Sequence, residues 1–368
     1  MHLKITYCSK LRDLFLVLKK KAPRIREGVA PFCNVHLIGD DTGISFVYTD
    51  MIVTRRFYVE GEVIEAGSVG FGALDFEKTI KSLYRHGGSL EIRVSAEELE
   101  VSHARLDFTI PLADAEDMVA IDPLPLDIEY ERLDSSTFIP ALKSCLHASC
   151  VDEAKANICG IYFEGQNLVG VDAHRLRCVA LDGHDFATIT APNQGCEAIV
   201  YAEQKLGFRE LEMAITDGQV HWRWDSTEGI EGSISAVGIS DEYPDYRSVL
   251  PKHDPARKAV VDRDRFLEDI ALVSPFSEKS MEMLATLRRD SLDLRCSGRK
   301  GQGKATVPAT YGSMPVKAAF NYGYLEEALK DLPAGPVVVD IIDTLSPATF
   351  FSEKETEGSY WIIMPMRL

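Results

Sequence analysis

The run Gly298-Arg-Lys-Gly-Gln-Gly-Lys304 has the G-x-x-x-x-G-K spacing of a loop that cradles nucleotide phosphates, and it follows a strand-like stretch, Leu292 to Cys296. That chemistry also needs a hydroxyl next in line to ligate magnesium, and a helix whose first amides close on the phosphate. Here Ala305 supplies no hydroxyl, and Ala305-Thr-Val-Pro308 does not read as a first helical turn. The run is expected to be a basic, glycine-rich hairpin or loop. Gly67-x-x-Gly70-x-Gly72 is a poorer dinucleotide fingerprint, because helical pattern resumes only after Asp75 and no βαβ unit surrounds it. Asp172 and His174, with nearby Ser and Cys, contain the residue types of a nucleophile system but lack a G-x-S-x-G elbow. No H-E-x-x-H or C-x-x-C spacing occurs, so nothing points to zinc. The expectation is a protein that is not an enzyme, with no cofactor and no metal, in which His174 is a partly buried structural or binding residue.

Composition bounds the rest. A chain of 368 residues with 45% hydrophobic content has room for two or three domains, each with its own core. No run of about 18 apolar residues suggests a membrane span. The beginning, MHLKITYCSKLRD, lacks the apolar core and cleavage site of a signal peptide. Eight scattered cysteines then read as reduced, mostly buried thiols of a cytoplasmic protein. The formal charge of −17 opposes nucleic-acid binding over the whole surface, yet basic residues cluster. Residues 7–26 hold seven basic side chains against Asp13 alone, and residues 288–304 hold six against Asp290 and Asp293.

The elements that must position these residues follow a repeat. Helical periodicity predicts helices over about 7–21, from Asp75 to the Gly87–Gly88 pair, from Asp134 through Leu146, and over about 202–213, 262–273 and 322–332. Strand-like runs fall between them, such as Leu90–Val94, Ile161–Phe163, Val220–Trp224 and Val337–Ile341. A strand-rich unit with one helix recurs roughly every 60–68 residues, and alternate helices recur at roughly 127. The pattern implies three similar α+β domains, 1–122, 123–251 and 252–368, each of two units with a helix apiece. The boundaries fall at the proline-rich Asp122–Pro125 and Leu250–Pro255.

Three segments rise above this background: Gly170-Val-Asp-Ala-His-Arg-Leu176, Tyr243-Pro-Asp-Tyr-Arg-Ser-Val-Leu-Pro251 and Tyr360-Trp-Ile-Ile-Met-Pro-Met-Arg-Leu368. The last is an apolar run with no polar tail, where termini normally fray. In order and spacing they resemble the T-D-G-H-R-L, F-P-D-Y-R-x-V-L-P and M-P-M-R-L stretches of the bacterial DNA sliding clamp family, the beta subunit of the replicative polymerase. Asn157–Ile161, the segment 262–279 and Phe320-Asn-Tyr-Gly-Tyr324 extend the resemblance over the chain, most weakly in its first third.

The resemblance implies a head-to-tail homodimer closing a ring of six domains around duplex DNA, with helices inside and sheets outside. It implies a groove for short peptides lined by Ile158, Val171, Ala173, His174, Arg175, Leu176, Pro244, Val249, Tyr324, Ile362, Met364, Pro365, Met366, Arg367 and Leu368. Their owners would be the DNA polymerase III catalytic subunit, the clamp loader, and other polymerases and repair proteins. Sequence-independent DNA contacts would come from Lys20, Arg24, Arg26 and Lys155. The ring would close through Leu106 and Phe108 against Pro275 and Phe276. The protein would act in the cytoplasm, on the nucleoid during replication. Val171 and Ala173 replace the family's usual Thr and Gly, and Ser248 a common Arg. Those departures carry the alternative reading of a specialised paralogue that binds partner proteins or a drug without supporting bulk replication.

Overall fold

The computed structural model describes all residues except 7–10, 19–33, 74–75, 79, 81–86, 96, 115, 117, 122–123, 126, 217, 228–229, 251–256 and 368. The chain divides into two compact units, Met1–Ile139 with Ala191–Ile239, and Pro140–Thr190 with Ser240–Leu368. The expected central segment, 123–251, contributes to both.

The first unit begins with β1 (His2–Ile5), α1 (Leu11–Leu18), β2 (Asn34–Asp40), β3 (Gly43–Thr49), β4 (Val53–Val59), β5 (Gly61–Glu65) and β6 (Gly67–Gly72). It continues with β7 (Leu90–Val94), β8 (Glu98–His103), β9 (Leu106–Pro111) and β10 (Glu131–Leu133). Helix α2 (Ser135–Ala148) leads into the second unit, and β11 (Gly160–Gly165), β12 (Asn167–Val171), β13 (Arg175–Ala180) and β14 (Phe186–Pro192) follow. The chain then re-enters the first unit with α3 (Asn193–Leu206), β15 (Phe208–Thr216), β16 (Gln219–Ser226) and β17 (Glu231–Val237). Two antiparallel sheets result, β5-β1-β7-β8-β9 and β10-β15-β16-β17-β4-β3-β2-β6. Burial alternates along β2 and β8, the mark of a sheet with one face on a core. Beneath the sheets, Phe15 of α1 packs on Phe46 and Phe76 with centroids 5.1 and 4.9 Å away. Residues 76–78 are helical, while the expected cap at Asp75 lies outside the described residues.

The second unit is completed by β18 (Lys258–Asp262), α4 (Arg263–Val273), β19 (Glu282–Arg288), β20 (Ser291–Gly298), β21 (Gly301–Tyr311) and β22 (Val316–Asn321). After these come α5 (Tyr322–Asp331), β23 (Pro336–Asp340), β24 (Ala348–Phe351) and β25 (Tyr360–Ile363). One twelve-stranded sheet spans it, in the order β14-β11-β12-β13-β25-β24-β23-β18-β21-β20-β19-β22. Helices α4 and α5 lie on a core that includes Phe266, Ile270, Leu325, Leu329 and Phe320.

Helix α2 opens at Asp134, as expected from sequence, and Asp262 caps α4. The Asp134 carboxylate accepts the Ser136 amide at 2.9 Å, and Asp262 accepts that of Arg265 at 2.9 Å. The fourth helix differs from its expected span of about 202–213. It runs from Asn193 to Leu206, and Leu211 sits on β15. Gly207, at φ 63, ends the helix by donating its N–H to the Glu203 carbonyl, a glycine stop that periodicity alone passed over. Gly195 lets that helix approach the sheet, since a Cβ there would lie 2.6 Å from that of Ala236. Proline-rich Asp122–Pro125 and Leu250–Pro255 lie mostly outside the described residues.

Candidate functional site

The apparent phosphate loop is a hairpin. β20 and β21 pair from Ser291↔Pro308 to Gly298↔Gly301, and the chain reverses at Gly301 with φ 118. The other glycines answer to packing. A Cβ on Gly303 would lie 2.5 Å from the Phe276 ring, and one on Gly298 would lie 2.9 Å from the Phe276 carbonyl oxygen. Gly67, Gly70 and Gly72 lie in strand β6.

A different constellation gathers at one end of the second unit. β12 and β13 form a hairpin that pairs Val171 with Leu176. The bend between them is built on Asp172, whose Oδ1 accepts the backbone N–H of His174 and of Arg175, each at 3.0 Å. Its Oδ2 accepts Arg175 Nε at 2.9 Å, and Ala173 takes φ 74. Gly170 brings the hairpin close to α2, because a Cβ there would stand 2.1 Å from the Cys145 carbonyl oxygen.

β25 pairs with β13, setting Leu176 beside Ile362. The following residues are held by two backbone bonds. The Met364 amide donates to the His174 carbonyl at 2.8 Å, and the Met366 amide to the Ala319 carbonyl on edge strand β22 at 2.7 Å. Asn321 ends β22 and caps α5, accepting the Gly323 amide at 2.9 Å, which places Tyr324 on the helix's first turn. The Tyr324 ring lies 6.2 Å from that of His174, nearly parallel, and 4.5 Å below the Arg175 guanidinium. Arg175 also pairs with Glu327.

His174, Asn321, Tyr324, Met364, Pro365, Met366 and Arg367 thus enclose a cleft of about 390 Å³. Burial alone would ease the proton off Arg175, but Glu327 and Asp172 outweigh it and hold the guanidinium above its ordinary range. Burial, reinforced by the Asp172 charge, raises the Tyr324 phenol, so the ring is neutral at physiological pH. The result is a small wall of aromatic and thioether surface with fixed charges at its edge.

Under the cleft lies an apolar cluster containing Cys150, Ile158, Val169, Leu176, Cys178, Tyr243, Tyr246 and Ile362, with Val171 and Leu250 packed against it. Six expected groove residues, His174, Tyr324, Met364, Pro365, Met366 and Arg367, line the cleft. Ile158, Leu176 and Ile362 are buried beneath it. Pro244 and Val249 are exposed, flanking Tyr243 and Tyr246 of the same cluster. Leu368 lies outside the described residues.

Sequence reasoning missed Asn321 and Glu327, though an Asn before an apolar periodic run is a legible cap signal. It also missed Arg177, whose side chain is 3% exposed. Arg177 Nε reaches Ser144 Oγ at 2.7 Å and Asp331 Oδ2 at 3.2 Å, and its Nη2 pairs with Glu355. Trp361 Nε1 donates to the same Asp331 oxygen at 3.0 Å. One guanidinium therefore ties α2, β13, α5 and the loop before β25 behind the cleft.

Lys155 is exposed on a 3-10 turn (Glu153–Ile158) that Asp152 caps, while Lys20, Arg24 and Arg26 lie outside the described residues. Leu106 is exposed and Phe108 half-buried on β9, the edge of its sheet; Pro275 is exposed and Phe276 half-buried on the turn after α4. A larger recess of about 660 Å³ is walled by Lys258, Phe351, Tyr360, Glu353, Glu355, Glu357 and several hydroxyls, without the thioethers of the cleft. No group of three or more His, Cys, Asp or Glu among the described residues is placed to hold a metal ion. No helix among them is long and apolar enough to cross a membrane.

Known proteins place this geometry in context. A family model described as the DNA polymerase III beta subunit, C-terminal domain, matches residues 247–367, a span containing Tyr324 and Met364–Arg367. The beta sliding clamp of Synechococcus elongatus is 25% identical over 264 residues, covering 67% of this chain and 68% of that protein. That of Vibrio cholerae is 21% identical over 353 residues, covering 91% and 92%. Among solved structures, the Pseudomonas aeruginosa DNA polymerase III subunit beta superposes with a TM-score of 0.85 at 22% identity, covering all of both chains. The Bartonella birtlesii sliding clamp, solved bound to griselimycin, superposes at 0.86 with 20% identity and full coverage of both chains. Whole-chain fold and sequence relatives agree: residues 247–367 match the C-terminal domain of the DNA polymerase III beta subunit, and the chain is similar in sequence and fold to bacterial beta sliding clamps.

Proposed function

We propose that two copies of this chain close head to tail into a ring around duplex DNA and tether other proteins to it without catalysing a reaction. Each copy contributes three domains, 1–122, 123–251 and 252–368. Lys20, Arg24, Arg26 and Lys155 make loose phosphate contacts that permit sliding. The DNA polymerase III catalytic subunit, the clamp loader, other polymerases and repair proteins dock short extended peptides into the cleft. The work is done in the cytoplasm, on the nucleoid.

The observation that carries this reading is the cleft itself. Methionines adapt to several apolar anchors, while the backbone bonds of Met364 and Met366 hold the wall in place. Ring closure is supported by two open strand edges. β9 pairs only with β8, and β21 over Gly301–Pro308 only with β20, among the described strands. Exposed Glu98, Glu100 and Asp107 border the first edge, and Arg295, Arg299, Lys300 and Lys304 the second. Leu106 and Phe108 would meet Pro275 and Phe276 between them, a heterologous contact that closes after two copies.

The test is titration of a labelled peptide carrying a glutamine and bulky apolar residues. Met366→Glu is expected to weaken binding at least tenfold, about 1.4 kcal/mol, while the particle mass stays at twice 40.9 kDa. Unchanged peptide affinity would overturn the assignment of the cleft.

A further inference from the structure

Beside the cleft, two thiols meet that nothing in clamp function uses. Cys150 follows α2, and its N–H lies 3.0 Å from the Val171 carbonyl oxygen and 3.3 Å from that of Ile158. The second contact folds the chain back on itself, so that Cys159 returns beside Cys150 across the 3-10 turn. Both thiols converge on the Asp152 carbonyl oxygen, Cys159 Sγ at 3.2 Å and Cys150 Sγ at 3.9 Å. A disulfide joins sulfurs about 2 Å apart on Cβ atoms about 3.8 Å apart. Two thiols that share one carbonyl partner on a chain folded back at Cys150 and Ile158 approach that geometry by side-chain rotation. Cys145, Cys178, Cys196 and Cys296 are buried, whereas Cys159 is only half-buried.

We propose that Cys150 and Cys159 are a redox modification site, converted by a low-molecular-weight disulfide into a reversible intrachain bond that staples the 150–159 turn. The Cys159 thiol gives its proton to solvent, and the thiolate attacks one sulfur of the reagent. The reagent's S–S bond breaks and its first thiol leaves. Cys150, losing its own proton, then attacks the Cys159 sulfur and displaces the second thiol. The chain loses two electrons and two protons, and the reagent is reduced to two thiols. The bond would fix Ile158 under the cleft and the exposed Lys155 on its turn. Burial first, then Cys150 and the carboxylates of Asp152 and Glu153, push the Cys159 thiol up to about 11. Exchange is therefore slow at neutral pH and quickens roughly tenfold per pH unit below that value.

The experiment treats the native full-length chain with glutathione disulfide at mildly alkaline pH and follows intact mass and tryptic peptides with and without reductant. The expected product lacks two hydrogens, and fragments cut at Lys155 stay joined until reduced. Cys145→Ser retains the bond, because Cys145 shares a tryptic peptide with Cys150. Cys150→Ser stops at a glutathione adduct on Cys159, which wild type resolves. A stable adduct on wild type, a link through another cysteine, or thiols that stay reduced while a denatured control reacts would each overturn the proposal.

Discussion

Ala173 bends the cleft's rim at φ 74, a conformation that crowds an L side chain against its own backbone and that glycine occupies freely. Ala173→Gly is therefore expected to stabilise the chain by about 1 kcal/mol in a urea titration, the relieved strain exceeding the added unfolded-state freedom. Lower stability would show that Ala173 makes compensating contacts. Arg177 has the opposite character. Arg177→Met strands Asp331 and Glu355 without their cation and should cost about 3 kcal/mol or more in the same assay. A loss below 1 kcal/mol would mean that the two carboxylates find other partners. His174, Tyr324 and Met364–Arg367 were legible because each sits in a short run with a distinctive order. Arg177 was not, because its partners lie up to 178 positions away and no local pattern announces a buried cation.

Strands and helices set these residues by close approach. Gly170→Ala would drive a Cβ into the Cys145 carbonyl, and neither backbone can yield easily. A loss of about 3 kcal/mol is expected, with peptide binding weakened as the β12–β13 hairpin shifts. An unperturbed melting temperature would contradict that packing. In the first unit, β16 buries His221 between Thr216 Oγ1 at 3.1 Å and Ser235 Oγ at 2.8 Å, and burial lowers its pKa below 6.5. The unfolded chain then binds more protons, so this contribution is full above about pH 6.5 and is lost as pH falls through the folded value. Urea midpoints should drop below that pH, and His221→Gln should flatten the drop; an unaltered profile would assign the acid loss elsewhere. Helices with strong caps, such as α4 behind Asp262, were legible nearly to the residue. α3 was displaced because apolar periodicity continues from Ile199 through Leu206 to Leu211, while the glycine that divides helix from strand carries no periodicity of its own.

At the scale of the molecule, the repeat of one helix per strand-rich unit was visible in sequence, because amphipathic helices recur against alternating strands. Which strands would be joined was not. Pairing of β4 with β17 and of β13 with β25 links residues far apart in the chain, and such pairs leave no local trace. The basic run at 288–304, by contrast, lies on strands and the hairpin expected from its glycines and the strand-like Leu292–Cys296. If that hairpin meets the acidic edge of a second copy, Arg299→Glu with Lys300→Glu should loosen the dimer at least tenfold. Adding Glu98→Lys and Glu100→Lys should restore it, as read by sedimentation. A dimer indifferent to all four changes would place the contact elsewhere. The most direct measurement for the ring is retention on DNA of defined topology. Loaded onto a nicked circle by a clamp loader, the protein should stay bound through a high-salt wash and be lost within moments of cutting the circle once. Equal loss from circular and linear DNA would contradict encirclement.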